Sequence, residues 1–276
     1  APISWLPDYD ARLVSNLDSP LIGYALAVAK LAPVIYGAGL NLFENPIMAF
    51  FMGRLGAYTV DRRKKNQLYK DVLKDYSAVS IAKGRHSLFY PGGTRSRSGQ
   101  IETSLKKGLL GTGLQAWQEN VRNGASREVF FVPCTLSCSL VLEAETLITD
   151  SLLEQGKSRY IISDDEFSEP RTVAHFVRKV LSLDACVTVR FGQPLDCVGN
   201  PLTSEGLSSC NGNIVDRLSY ITLKDGTFCA DAQRDQQYTK RLAGEILQSL
   251  RKNAVALPTH LCALAAWSIL SRRHRR

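Results

Sequence analysis

Residues 87–99, SLFYPGGTRSRSG, are the most informative segment of the sequence. A β-rich run, SLFY, stops abruptly at Pro91-Gly92-Gly93 and leads into a segment of hydroxyl groups and arginines. Helical periodicity follows over 105–122, and a second β-rich run, EVFFVPCT, occupies 129–136. A strand, a helix and a second strand in this order are typical of α/β layer proteins.

The alternation of β-rich and helical patterns extends in both directions from this unit. Further β-rich runs lie at 57–60 and 186–191. Further helical patterns lie at 66–83, 171–183 and 235–253. The helix over 66–83 is predicted from apolar residues at helical spacing, which are Leu68, Val72, Leu73, Tyr76 and Val79. We therefore predict the α/β fold class, with a mixed central sheet flanked by helices and a helical C-terminal extension.

The composition is that of an ordered globular chain. Its 276 residues are enough for one large domain, and 45% hydrophobic with 22% charged residues exclude a disordered protein. Residues 192–232 are rich in Gly, Pro, Asn and Ser, although no clear linker divides the chain. We predict an α/β domain over 1–195, an irregular excursion over 196–232, and a helical segment over 233–276 packed on the same domain.

Cysteine and histidine spacing gives no metal site. The seven cysteines form no C-x-x-C pair, and with four histidines no zinc-binding spacing can be written. We expect free thiols in a reducing compartment, because a disulfide framework is unusual in a chain of this length. The sequence starts at Ala1 without an Arg-flanked apolar region, so no signal peptide is expected.

Two stretches, 21–42 and 254–270, are the most apolar parts of the sequence. Lys30 and Pro33 interrupt the first, which ends in a Gly-x-Gly turn. The second has about 17 residues and contains Pro258, whereas a membrane span needs about 20. We expect buried or surface-docked helices in these stretches and no span.

Positive charge is concentrated in one region. The net charge is +8, and between Arg54 and Arg122 there are 14 Lys or Arg against five Asp or Glu, a local net of +9. Such a region suits nucleic acid, an anionic membrane, or a phosphorylated substrate with an acidic carrier, and it also describes a solvated basic face. Nucleic acid is not expected as a partner, because the run lacks interleaved aromatic residues and no nucleic-acid-binding module is present.

The segment 90–99 has the chemistry of an anion-binding loop. Its glycines allow backbone N–H groups to converge, its hydroxyl groups add donors, and Arg95 and Arg97 add positive charge. It lacks the G-x-x-x-x-G-K-[ST] spacing of a P-loop. Arg62 follows the short β-rich run at 57–60 and is a second candidate for the same anion. The alternative is an exposed turn with solvated arginines.

Four ordered segments resemble the sequence blocks of the glycerolipid acyltransferase family, especially the bacterial glycerol-3-phosphate acyltransferases. LVSNLDSP, which starts at Leu13, resembles the His-x-x-x-x-Asp block, with Asp18 in the place of the acid. GAYTVDR (56–62) resembles the G-x-x-x-[IV]-x-R block, and YPGGTRSRSG (90–99) resembles the F-x-E-G-x-R-S block. FVPCTL (131–136) is similar to the V-P block on a strand.

This resemblance implies an acyltransferase-like fold and a transfer of a fatty acyl group from acyl-CoA or acyl carrier protein to a glycerol phosphate acceptor. No further cofactor is implied. Asp18 would orient the histidine that acts as general base. The residues that match the acceptor-binding positions are Arg62, Gly93, Thr94, Arg95 and Ser96. The family also implies a peripheral position on an anionic membrane surface, on the cytoplasmic side.

The sequence departs from the family pattern at two positions. Leu13 occupies the place of the catalytic histidine, and Gly92 occupies the place of the glutamate in the third block. General acid–base catalysis contributes about 10²–10⁴-fold, so we expect a weak or inactive acyltransferase. The interpretations that remain are a pseudoenzyme that binds lipid or acyl carrier without catalysis, an active variant with another base, and an atypical or truncated N-terminal region. His86 is expected to be structural.

Overall fold

A computed structural model describes residues 6–11, 18–43, 46–61, 63–92, 103–139 and 187–273. The first part of the fold alternates strands and helices in the order β1 (Leu6–Ala11), α1 (Asp18–Val28), β2 (Val34–Gly39), α2 (Pro46–Arg54), β3 (Ala57–Val60), α3 (Gln67–Ala82), β4 (His86–Phe89), α4 (Lys107–Arg122), β5 (Val129–Cys138) and β6 (Val187–Phe191). The second part contains β7 (Ser209–Cys210), β8 (Asn213–Ile214), α5 (Ala232–Asn253) and α6 (Pro258–Arg273). Single 3-10 turns lie at Leu40–Phe43 and Arg217–Tyr220.

Six of the strands form one mixed sheet with the order β3-β2-β4-β1-β5-β6. The first five strands are parallel, and β6 runs antiparallel to β5. Each parallel connection that the structure describes contains a helix, which is the arrangement that parallel strands require. The predicted fold class, a mixed sheet flanked by helices with helices at the C-terminal end, is therefore confirmed.

The sheet separates two apolar layers. One layer joins α1 and α2 to the sheet, and the other joins α3, α4 and α5 to it. β5 serves both layers because successive side chains of a strand point to opposite faces: Val132 and Cys134 belong to the first layer and Phe131 to the second. Three residues of α5 complete the second layer, with Leu242 and Ile246 fully buried and Leu250 nearly so.

Helix α3 confirms the helix predicted over 66–83, but its apolar residues lie on the outside. Leu68, Val72, Tyr76 and Val79 are between 48% and 71% exposed. The inner face of α3 is made mainly of small residues, including Ser77, and the Ser77 and Thr112 hydroxyl groups lie 3.0 Å apart. Small side chains let α3 and α4 approach closely, so the larger apolar residues remain at the surface.

In the apolar stretch 21–42, where a buried or surface-docked helix is expected, only the part before Lys30 is helical, and the expected Gly-x-Gly turn is part of a strand. α1 ends at Val28, and after Pro33 the chain forms β2, which lies between β3 and β4. Gly37 lies inside this strand, and a Cβ atom there would lie 2.9 Å from Val60 Cγ2. The glycine therefore serves the close packing of β2 against β3, and it does not mark a turn.

Strand β1 was not predicted from the polar sequence LPDYDA. It nevertheless lies inside the sheet, with β4 on one side and β5 on the other. Its register with β5 runs from Leu6↔Val129 to Ala11↔Cys134, so it is held by ladders on both sides. The position of β1 in the sheet therefore depends on its backbone hydrogen bonds to the apolar strands β4 and β5, because its own polar sequence does not predict a strand.

The C-terminal part adds irregular structure and two helices. The chain from 192 to 231 contains the β7–β8 hairpin, one 3-10 turn and several isolated bridges, and buried Asp196 organises part of it by accepting hydrogen bonds from the backbone of Val198 and Asn200. The proposed domain limits stay a prediction. No single helix in the described ranges is long and apolar enough to cross a membrane; α5 and α6 meet the length and composition only as a pair bent by 84°.

The outward apolar face of α3 gives a matched pair of tests on one helix. Ile81→Ala should lower the free energy of unfolding by about 2–5 kcal/mol, because Ile81 is buried against α4. Val72→Ala should change it by less than about 0.5 kcal/mol, because Val72 is exposed. Urea unfolding followed by circular dichroism measures both values. A loss at Val72 equal to the loss at Ile81 would mean that the apolar face of α3 is packed.

Candidate active site

The C-terminal ends of the parallel strands define the candidate site. β1 to β5 run in the same direction, so the segments that follow β1, β3 and β4 all leave the sheet at one edge. In open α/β sheets this edge is where ligands bind. Helix α1, which follows β1, begins at this edge with Asp18.

Asp18 is a fully buried acidic residue in the first turn of α1. The N-terminal end of a helix has a positive partial charge, which favours a carboxylate at this position. The negative charge of Asp18 contributes to the raised pKa values of Tyr90 and Cys134, so both residues lie near it. The structure therefore places Asp18 beside the ends of β4 and the middle of β5.

Tyr90 and Ser19 form a polar contact next to Asp18. The Ser19 Oγ and the Tyr90 hydroxyl oxygen are 2.6 Å apart, which is a hydrogen bond that joins the start of α1 to the end of β4. Burial raises the pKa of Tyr90 well above its usual range, and the bond to Ser19 offsets this only in part. Tyr90 is therefore a neutral phenol at physiological pH, suited to donating a hydrogen bond and unsuited to removing a proton.

Cys134 is buried on the same side of the sheet as Asp18. Burial, with a smaller contribution from the charge of Asp18, raises the pKa of the Cys134 thiol to about 12. Since the thiolate is the nucleophilic form of cysteine, Cys134 is a poor nucleophile at neutral pH. Neither Tyr90 nor Cys134 supplies a base or a nucleophile at this site.

Only the first three residues of the anion loop predicted at 90–99 lie within the described residues, and the description resumes at residue 103. The backbone N–H of Lys106 donates to the carbonyl of Pro91 over 2.7 Å, which joins the start of the predicted loop to the residue that precedes α4. Lys106 precedes α4 and makes no side-chain capping hydrogen bond. The start of α4 thus lies next to Pro91, at the start of the predicted loop, and a helix N-terminus favours anions.

Most of the predicted site residues lie outside the described residues. Asp18 is described, whereas the structure of Leu13 and of the five predicted acceptor-binding residues is not: Arg62, Gly93, Thr94, Arg95 and Ser96. Their roles stay predictions. In the sequence, Arg62 lies two residues after the last residue of β3, and Gly93 lies four residues after the last residue of β4.

Sequence reasoning missed three residues around Asp18. Tyr90 and Cys134 lie inside the quoted blocks YPGGTRSRSG and FVPCTL, and Ser19 directly follows Asp18. Their positions in the blocks were visible, but their contacts were not, because Ser19 and Tyr90 are 71 residues apart in sequence.

A cavity of about 650 Å³ lies on the other side of the sheet. It is bordered by α3, α4 and α5, and its lining includes Lys74, Lys107, Gln118 and Thr239. Since Asp18 and Cys134 lie with the α1–α2 layer, the sheet separates this cavity from them. In the part of the chain that the structure describes, no group of three or more His, Cys, Asp or Glu residues is arranged to hold a metal ion.

Comparison with known proteins identifies the same region. Residues 14–137 match the family model described as Acyltransferase. The glycerol-3-phosphate acyltransferase of Pseudoalteromonas translucida is 32% identical over 137 residues, which are 49% of this chain and 16% of that protein. The glycerol-3-phosphate acyltransferases of Histophilus somni and Haemophilus ducreyi are 32% and 33% identical over 133 residues, 48% of this chain and 16% of each relative.

The aligned part therefore spans about a sixth of the length of these relatives. Among solved structures, the 1-acyl-sn-glycerophosphate (LPA) acyltransferase of Thermotoga maritima is similar with a TM-score of 0.35 and 19% identity, over 49% of this chain and 46% of that one. The matched residues 14–137 include three of the four sequence blocks in full and all of the first block except Leu13. Over this region the chain is similar to the Acyltransferase family model and to these glycerol-3-phosphate acyltransferases.

Proposed function

We propose that this chain transfers a fatty acyl group from an acyl thioester to a hydroxyl group of glycerol-3-phosphate. The observation that carries the proposal is the position of Asp18, fully buried at the start of α1, at the edge where the anion loop leaves β4. The match of residues 14–137 to the Acyltransferase family model supports acyl transfer as the reaction. The names of the relatives support glycerol-3-phosphate as the acceptor.

The acceptor phosphate would bind to the predicted loop and to Arg62. Arg95 and Arg62 supply guanidinium groups that can each form paired hydrogen bonds with a phosphate. Gly93, Thr94 and Ser96 supply backbone and hydroxyl donors. The strands that precede these segments, β3 and β4, end at the same edge with only β2 between them, about 10 Å apart. Arginine side chains from both segments are long enough to meet at one anion across this distance.

The donor would be acyl-CoA or an acyl carrier protein, whose negative charges suit the basic region between Arg54 and Arg122. In the transfer, the acceptor oxygen forms a bond to the thioester carbonyl carbon, and the carbon–sulfur bond breaks. The acceptor proton passes to a general base and then to the leaving thiolate, so that a free thiol is released. No cofactor beyond the donor is needed for this step.

The weak point of the site is the general base. In the family a histidine at the position of Leu13 takes the proton, and Asp18 would orient that histidine. Leucine has no proton acceptor, and the neutral phenol of Tyr90 and neutral thiol of Cys134 do not replace it. The transfer is therefore expected to be slower by about 10²–10⁴-fold than with the histidine present.

A second candidate function is binding without catalysis. In that case the chain would hold a lipid phosphate or an acyl carrier at the same edge and release no thiol. The observation that favours it is Leu13 at the position of the base. The two candidates share one anion site and differ only in whether the thioester is broken.

Restoring the base separates these candidates. Leu13→His should raise the rate of thiol release from palmitoyl-CoA in the presence of glycerol-3-phosphate by about 10²-fold or more. Adding Asp18→Asn to this variant should remove most of the gain, because the amide leaves the imidazolium without its charged partner. Thiol release is followed with a chromogenic disulfide reagent.

Controls fix the interpretation of that assay. Thiol release must depend on glycerol-3-phosphate, and the variants must retain the far-ultraviolet circular dichroism of the parent chain. No acyl transfer in either the parent or Leu13→His, with glycerol-3-phosphate still bound, would contradict the enzymatic proposal and leave the binding function.

The high pKa of Cys134 predicts that no acyl–cysteine intermediate forms. Cys134→Ala in the Leu13→His background should retain thiol release within about threefold, because the thiol is protonated at neutral pH. Iodoacetamide should label exposed Cys262 at pH 8 well before Cys134, as measured by mass spectrometry of the folded chain. Preferential labelling of Cys134, or loss of transfer on its replacement with the fold intact, would show that it is the nucleophile.

A further inference from the structure

The cavity between α3, α4 and α5 is lined mainly by polar residues. It follows one face of α4, whose lining positions 107, 108, 111, 115 and 118 recur at helical spacing. Its volume of about 650 Å³ is in the range of sites that bind small organic molecules. No aromatic side chain is among the described residues that line it, so it offers no surface on which a nucleobase could stack.

At one end of the cavity lies a buried amide group without a partner. Gln118 lines the cavity and is 8% exposed. Its Nε2 atom is shielded from solvent and has no hydrogen-bond partner among the described residues. Nearly all buried polar groups in folded proteins are paired, because an unpaired one is unfavourable. An acceptor oxygen that enters the cavity beside Gln118 would supply the missing partner.

Two lysines line the other end of the cavity. Helices α3 and α4 both lead from the end of one parallel strand to the start of the next, so they run in the same direction. The contact between Ser77 and Thr112 aligns them. Lys74 precedes Ser77 by three residues and therefore lies near the first turn of α4, where Lys107 begins the helix.

The start of α4 adds to this positive charge. The helix N-terminus has a positive partial charge, and Lys106 at the N-cap position makes no side-chain hydrogen bond to the first turn. Lys107 forms no ion pair with any residue that the structure describes. Lys74 lies 3.8 Å from Asp71, and an exposed pair at this distance contributes little. This end of the cavity is therefore suited to an anion.

The acidic residue in the cavity lining does not oppose an anion there. Among the described lining residues the acid is Asp235, on α5. Its Oδ1 atom lies 2.9 Å from Arg234 Nη2, so a neighbouring guanidinium group compensates its charge. Asp235 is also four residues before Thr239, which lies beside Gly111, and α5 thus carries the acid away from the level of that contact.

Gly108 leaves the cavity open next to Lys107. It lies inside α4, where glycine is less favourable than alanine. A Cβ atom at Gly108 would meet no atom within 4 Å, so packing against the rest of the protein does not require a glycine there. The missing side chain leaves free space in the cavity at the first turn of α4.

From these observations we propose that the cavity is a second binding site, for a phosphate ester of a sugar or polyol. The phosphate binds between Lys74 and Lys107 at the start of α4, and a hydroxyl oxygen of the same molecule accepts a hydrogen bond from Gln118. Lys107 and Gln118 are about 16 Å apart along the axis of α4, which suits a ligand with an anionic and a polar end. The sheet separates this site from Asp18, so it does not rest on the proposed acyl transfer.

The test is isothermal titration calorimetry of the full chain with glucose-6-phosphate as the probe. Glucose-6-phosphate should bind at least about tenfold more tightly than glucose or inorganic phosphate, because only the ester reaches both ends of the cavity. Lys74→Gln with Lys107→Gln should weaken this binding about tenfold or more. The matched control is Lys83→Gln with Lys252→Gln, which removes two exposed lysines outside the cavity and should bind within about twofold of the parent.

Two helical glycines give a second matched pair. Gly108→Leu should weaken the binding of glucose-6-phosphate about tenfold or more, because the new side chain occupies the cavity beside Lys107. Gly244→Leu makes the same change on α5 outside the cavity, where a Cβ atom also meets nothing within 4 Å, and should bind within about twofold of the parent. Both variants should keep or raise the midpoint of thermal unfolding, because leucine favours a helix more than glycine does.

Gln118→Leu tests the polar end of the site. It should weaken the binding of glucose-6-phosphate about tenfold and leave the binding of inorganic phosphate unchanged, because only the ester reaches the amide. The midpoint of thermal unfolding should stay the same or rise, since the substitution removes an unpaired buried group.

Three results would overturn the proposal: no binding of glucose-6-phosphate, binding no tighter than that of inorganic phosphate, or binding that survives Gly108→Leu in a folded variant. Arg95→Ala separates this cavity from the candidate active site. Binding that is lost in Arg95→Ala and kept in Gly108→Leu would assign the probe to the active site and refute a second site. The opposite pattern would support the second site, whatever the thiol-release assay of Leu13→His shows.

Discussion

The architecture of the candidate site depends on one buried carboxyl group at the start of a helix. Asp18 is completely removed from solvent. A buried charge is costly unless fixed dipoles and hydrogen bonds replace water. The N-terminal end of α1 provides such a dipole, and β1 holds the preceding chain between β4 and β5. The acid is thus buried at the edge of the sheet where the proposed site would bind its substrate.

The strand order determines which residues surround this acid. Because β1 lies between β4 and β5, Tyr90 from the end of β4 and Cys134 from β5 are its neighbours. Their high pKa values keep both neutral, so Asp18 is not opposed by another negative charge from these residues. The environment is suited to orienting and stabilising a cationic partner, which is the role an acid performs beside a histidine base.

How much of the fold the sequence predicts depends on whether local pattern and tertiary contact agree. β3, α4 and β5 have apolar periods that match their final environment, and each was predicted to within a few residues. β1 is polar and is placed by hydrogen bonding to its neighbours, and β2 follows a helix inside one apolar stretch, so neither had a local signal. α3 was predicted, yet its apolar face lies outward because small residues such as Ser77 form the closer contact with α4.

For the candidate site as well, some residues can be identified from the sequence, whereas others are identified only from tertiary contacts. Asp18 was identified because it belongs to an ordered set of sequence blocks, and its role stays a prediction; the structure describes it as buried at the start of α1. The hydrogen bond between Ser19 and Tyr90 joins residues far apart in sequence, so no local sequence pattern predicts it. The sequence left open whether the apolar stretch 254–270 forms a buried or a surface helix, and the structure shows the apolar side chains of α6 exposed.

The central claim is that segments following different strands meet at one acceptor phosphate, and a double-mutant cycle tests it most directly. Isothermal titration calorimetry with glycerol-3-phosphate would compare Arg62→Ala, Arg95→Ala and the combined variant with the parent chain. If both arginines bind one phosphate, the two losses are not additive and the coupling is about 1 kcal/mol or more. Losses that add to within about 0.3 kcal/mol, or that match the small effect of Lys64→Ala, would contradict the shared site.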